Sequence, residues 1–243
     1  MLELTRRSLL FGAAGFGLSS GAKAALREVD LKLVLAVDVS DSVIEERWKV
    51  QKEGYARALQ HQKVRNNILG GPLGAIAVTL IQWSSRHEQS QVVPWTLLNT
   101  PDAIDKLSST IGRMERQFSN GTAVGAALEC SARLIAEAPF QSMHSVIDIS
   151  GDGFDHDPVV RREKTVPLAT IRDEIVGQGI TINALPLLGD RIAVPYGTYT
   201  NVAEMYEAEA IGGPGNFMVV VENPDRADLF IECLINKLHL EIA

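Results

Sequence analysis

The chain has 243 residues, 46% of them hydrophobic, with 30 Asp and Glu against 23 Lys and Arg and a formal charge of −7 at pH 7. An acidic surface argues against nucleic acid or anionic lipid as the partner and is compatible with attraction of divalent cations. The length suits one large domain or two small ones, and two cysteines, Cys130 and Cys233, have no metal-binding spacing.

Residues 1–24 have the three parts of an export signal: a basic start with Arg6 and Arg7, a short glycine-rich apolar core, and Ala22-Lys23-Ala24 as a small-x-small cleavage site. The paired arginines resemble a twin-arginine signal. The apolar core is too short to span a bilayer, which takes about 20 residues, and no later apolar run is long enough. The expectation is a bacterial periplasmic or secreted protein with no stable membrane insertion. Removing residues 1–24 takes away three basic residues and one acidic residue, so residues 25–243 carry −9.

Residues 31–42, LKLVLAVDVSDS, hold an apolar run that stops at Asp38 and then presents Ser40 and Ser42 at alternate positions. The run reads as a buried parallel strand. Residues 43–60 follow as a helix, with Glu45 and Glu46 suiting its N-terminus, and residues 66–74 as a turn region. Residues 75–83 read as a second strand. Residues 91–95 read as a short third strand on an edge, because Pro94 lacks a backbone donor. Thr100 and Pro101 start a helix that runs to about residue 114.

Phe118 to Thr122 form a polar loop before a helix over residues 123–137, and Thr122 could serve simply as that helix's cap. Residues 145–149 are the next strand, ending in Gly151-Asp152-Gly153. Asp155, His156 and Asp157 then fall in a loop. Residues 165–176 read as helix, 180–185 as strand, 186–195 as loop, 196–208 as partly helical, 217–221 as a last strand, and 225–239 as a C-terminal helix. Strand and helix alternate, which predicts a doubly wound, mostly parallel α/β sheet with helices on both faces and one domain over residues 25–243. Cys130 and Cys233 fall in helices, where an exported protein could join them or bury them as free thiols.

Asp38, Ser40 and Ser42, then Thr122, then Asp152 each lie where a strand or loop gives way to a helix or turn. A doubly wound sheet brings such positions together along one edge. Two carboxylates and three hydroxyls, completed by water, can give a hard cation about six oxygen ligands, which suits Mg²⁺ first, with Mn²⁺ or Ca²⁺ as alternatives, over zinc or copper. The competing reading is a set of turn and capping residues.

The arrangement resembles the metal-ion-dependent adhesion site of von Willebrand factor type A domains. D-V-S-D-S at Asp38, Ser40 and Ser42 matches the Asp-x-Ser-x-Ser motif, Thr122 matches the loop threonine, and Asp152 in S-G-D-G matches the third-motif aspartate. The lead into Thr122, Ser119-Asn120-Gly121, departs from the Gly-Gly form often found there. More narrowly the sequence is similar to the DUF1194 family, on Ile81-Gln82-Trp83-Ser84, the stretch from Val146 to Gly153, Gly179 to Asn183, and Ile211 to Gly215. The resemblance implies a metal held by the five residues and a protein ligand whose Asp or Glu carboxylate completes the sphere. It also implies a C-terminal helix able to shift with the site. It names no partner.

A metal-dependent phosphatase or other hydrolase is the alternative activity, with Asp41, Asp155 and His156 as spare acid–base candidates. The chain lacks a second aspartate after Asp38-Val39, a GxSxG elbow, a P-loop and an HExxH helix. A structural domain that binds no metal is the third possibility.

Overall fold

The computed structural model describes residues 26–189 and 198–243. The expected export signal lies outside the described residues, as does most of the loop expected over 186–195.

The centre is a five-stranded sheet. Its strands are β1 (Leu31–Asp38), β2 (Ile76–Trp83), β3 (Gln89–Leu98), β4 (His144–Gly151) and β5 (Thr181–Pro186), in the order β3-β2-β1-β4-β5. All pairs are parallel except β2 with β3. β1 is in the middle, buried without a break from Leu33 to Asp38, as its apolar run from Leu33 to Val37 requires. Beyond β5, Met218 and Val221 add isolated parallel bridges rather than the full strand expected over 217–221.

Side chains of β1 sort by parity. Leu33, Leu35 and Val37 face α1 (Glu45–Gln60), α2 (Gln62–Gly70), α3 (Pro101–Gly112) and α7 (Ala227–Ile242). Val34 and Ala36 face α4 (Val124–Glu137), α5 (Leu168–Val176) and the short helix α6 (Val202–Met205), which continues as a π-helical turn over Tyr206–Ala210. The period-2 alternation of a strand thus builds two cores, one on each side of a single sheet. The architecture is the mostly parallel α/β sheet flanked by helices that the alternation predicts.

Several elements differ from expectation. α2 occupies part of the expected turn region: Val64 and Ile68, four apart, bury one face despite Asn66, Asn67 and Gly70, so tertiary burial outweighs weak propensity. β3 is ten residues long, not five. Pro94 stays within it because the strand is on the edge, where register shifts opposite Val78 and Leu80 absorb the irregularity. Residues 164–165 are not helical; they pair with Val160–Arg161 across Arg162 and Glu163, both at positive φ.

Thr100 does cap α3, accepting from Ala103 N–H at 3.1 Å. Cys130 and Cys233 are free thiols, one on α4 and one on α7.

Candidate functional site

β1 and β4 end side by side, and their last turns build a polar cluster in an otherwise apolar interior. Asp38 and Ser40 expose no surface. Asp38 Oδ1 accepts from Ser40 N–H at 2.7 Å, and Oδ2 accepts from Asp152 N–H at 3.3 Å. The Ser40 and Ser42 hydroxyls are 2.9 Å apart. Ser42 donates onward to Asp152 Oδ1. Four of the five expected residues therefore form one hydrogen-bonded group.

Thr122 joins that group by position rather than by a hydrogen bond to Asp38, Ser40 or Ser42. It is buried, and its hydroxyl is 2.9 Å from where a Cβ on Gly153 would sit, next to Asp152. Its loop is stitched in place. Ser84 Oγ donates to Gly121 O at 3.0 Å, Ser85 Oγ accepts from Gly121 N–H at 2.9 Å, and Asp41 N–H donates to Asn120 O at 2.8 Å. Arg116 clamps the Val39 and Ser40 carbonyls from the other side.

Neither helix start is capped by these side chains, although Asp38 Oδ1, accepting from Ser40 N–H two residues on, makes the local turn that the competing reading also expects. α1 begins behind Ile44 and α4 behind Ala123, and neither position makes a side-chain cap bond. Asp38, Ser40, Ser42 and Thr122 are thus not used up in closing helix ends. Asp155 does that work for α4: its carboxylate is buried and accepts from the Val124 and Gly125 amides. Asp155 lies in the loop the sequence indicated, and of residues 155–157 only His156 is exposed, edge-on to Phe154.

Two side chains that the motif did not indicate complete the surroundings. Arg47, on the inner face of α1, donates to Asp152 Oδ2 at 2.6 Å and to Asp225 Oδ1 at 3.1 Å. Tyr206 approaches from the other side of the sheet. Its hydroxyl is buried with no hydrogen-bond partner among the described residues, 2.5 Å from the Cβ position of Gly151, while Asp38 Oδ2 is 3.0 Å from that same point. Only a glycine at 151 lets the two come together. The π-helical turn carrying Tyr206 is a form often found at functional sites. Arg47 was legible in principle, since 47, 51 and 55 recur at helical spacing, whereas nothing local marks Tyr206.

The electrostatics are those of two crowded carboxylates. Burial, then the neighbouring Asp152, raises the Asp38 pKa to about 7 against the opposing hydrogen bonds from Ser40 and Asp152. Burial raises Asp155 to about 6, and it pushes the Tyr206 phenol up further with help from Asp38 and Asp152. Every side-chain ligand atom the five residues offer is oxygen, and the Ser40 and Ser42 hydroxyls keep lone pairs free while donating their protons. An orphaned buried hydroxyl beside Asp38 calls for an acceptor such as ligand-bound water. Among the described residues no group of three or more His, Cys, Asp or Glu could hold a metal. The donor set fits a hard cation held by few charges, not a carboxylate cage or a zinc site.

This sheet and its helices define a von Willebrand factor type A-like fold. The pilus adhesin SpaC of Lactobacillus rhamnosus GG superposes with a TM-score of 0.60 at 13% identity, over 88% of this chain and 30% of that one. Proximal thread matrix protein 1 of the mussel byssus gives 0.56 at 14%, over 86% and 48%; a further structure of that mussel protein is described as having a zinc-occupied MIDAS motif. BatB of Bacteroides thetaiotaomicron gives 0.54 at 17%, over 86% and 98%. The chain therefore spans about half of the mussel protein and less than a third of the adhesin. No curated protein sequence matches it. The chain belongs to the family described as protein of unknown function DUF1194, which matches over residues 28–243.

Proposed function

We propose that this chain is an exported module that binds a protein partner through a divalent cation. Asp38, Ser40, Ser42, Thr122 and Asp152 hold the ion, Mg²⁺ in preference to Mn²⁺ or Ca²⁺. A carboxylate from an Asp or Glu of the partner fills an open position. Residues 1–24 direct export and residues 25–243 act as one domain outside the cytoplasm. The bound cation would supply a Lewis-acidic contact for that carboxylate, and the five residues would hold and orient it.

The observation that carries the reading is the hydrogen-bonded group of Asp38, Ser40, Ser42 and Asp152, all oxygen and not used for capping, with an unsatisfied Tyr206 hydroxyl beside it. The names of the adhesin and the mussel matrix protein agree with a binding role. A hydrolase reading has less support, because Asp155 is engaged with the α4 amides, while Asp41 and His156 are exposed.

The test is Mg²⁺-dependent capture from a periplasmic extract, comparing wild type with Asp38→Ala and identifying bound proteins by mass spectrometry. The reading expects a partner retained by wild type in Mg²⁺ and lost both with chelator and with D38A. Identical profiles for wild type and D38A would remove it.

A further inference from the structure

Arg47 is 6% exposed, a rare setting for a guanidinium. It is also shared: Nη1 holds Asp152 Oδ2 at 2.6 Å, while Nε and Nη2 hold Asp225 at 3.1 and 3.3 Å. The two carboxylates differ in setting, the Asp152 side chain being 4% exposed and that of Asp225 50%. Gly189 leaves room for the planar group, since a Cβ there would lie 3.1 Å from Nη2. Arg47 therefore puts a full positive charge on one oxygen of a residue assigned to the cation. Asp225 stands just before α7, so the same side chain spans from the site to that helix.

We propose that Arg47 sets the cation affinity of this site, competing with the ion for Asp152 and yielding to it by resting on Asp225. The inference rests on the metal reading above and deepens it. Its physics is simple. An ion and a guanidinium that share one carboxylate repel each other, more strongly in a poorly hydrated site than in water. Deleting the guanidinium removes the repulsion and frees Oδ2 of Asp152. Deleting the Asp225 charge instead leaves the guanidinium with one anion, so it grips Asp152 harder. The two partners of one ion pair should then change affinity in opposite directions. A purely structural role for Arg47 predicts the same direction for both, or no change.

The experiment is calorimetric titration of the wild-type chain, Asp38→Ala, Arg47→Gln and Asp225→Asn with Mn²⁺ and with Mg²⁺, each variant first shown to melt cooperatively in chelator. The expected result is tighter binding by R47Q, by about tenfold, and weaker binding by D225N. The exposed position of Asp225 makes D225N the variant that still decides the matter if R47Q does not fold. If wild type binds the ion and D38A does not, yet R47Q binds no tighter or D225N no weaker, the competition is wrong and the metal site stands. If folded wild type, R47Q and D225N all bind no ion, the metal reading falls and the inference with it.

Discussion

Asp38 ends the central strand of the sheet and has no surface of its own. Its pKa of about 7 lies above the ordinary 3.8, because burial and Asp152 both disfavour its charge. A folded-state value raised in this way gives stability that is fully present below about pH 4 and is lost as pH rises through about 7. In chelator, the melting temperature of the wild-type chain should therefore fall between about pH 5 and pH 7, and Asp38→Asn should fall less. A steeper fall for D38N would contradict this account of the charge. At this scale the sequence was informative where residues act within a few positions of each other. Asp38, Ser40 and Ser42 share one loop, so their convergence followed from spacing. Arg47 and Tyr206 reach the cluster from two helical elements on opposite faces of the sheet, and only the packing of those elements decides that they meet.

At the scale of elements, β4 carries more than its apolar reading suggested. Asp148 and Ser150 alternate along the strand and so point to one face, and Asp152 follows just past its end. There each meets a polar partner: Lys237 Nζ is 2.7 Å from Asp148 Oδ1, Tyr55 donates to Ser150 at 3.2 Å, and Arg47 holds Asp152. Lys237 also pairs with Glu241, and neither side chain has exposed surface. This ties the last turns of α7 to the central sheet, while Gly54 of α1 lets Phe230 of α7 come close enough that a Cβ would sit 2.6 Å away.

Burial raises Glu241 to about 8, with Asp148 adding to it against the pull of Lys237. Replacing Lys237 by Met would strand two buried carboxylates. It should cost about 3–5 kcal/mol in urea unfolding, as breaking a buried pair does. The loss should be larger at pH 8 than at pH 5, where protonated Glu241 needs no cation. A loss under about 1 kcal/mol would mean that α7 is held by its apolar face alone. The sequence indicated α7 as a helix, but nothing in it singled out Lys237. Its role depends on Asp148, 89 positions earlier in the chain.

For the molecule as a whole, alternation of strand and helix was enough to derive the sheet, because each apolar run is either strand-length or helix-periodic. What the alternation could not supply were features that depend on partners. α2 is helical because Val64 and Ile68 find a core. The expected sixth strand is only a pair of bridges at Met218 and Val221. The Thr122 loop, despite its departure from Gly-Gly, is held beside Asp152 by Ser84, Ser85 and Arg116, none of which belongs to the metal-site motif. The same architecture explains why a polar group can persist inside an apolar fold. It lies at the carboxyl edge of the sheet, where loops converge and backbone groups are free to point inward.

The central claim is that this edge binds a divalent cation through Asp38. Isothermal titration of the folded chain with Mg²⁺ and Mn²⁺ tests it most directly, with Asp38→Ala alongside. The account predicts one site per chain for wild type and no measurable heat for D38A, with a melting temperature raised by the ion only in wild type. Equal binding by both chains, or none by a wild-type chain that melts cooperatively, would contradict it.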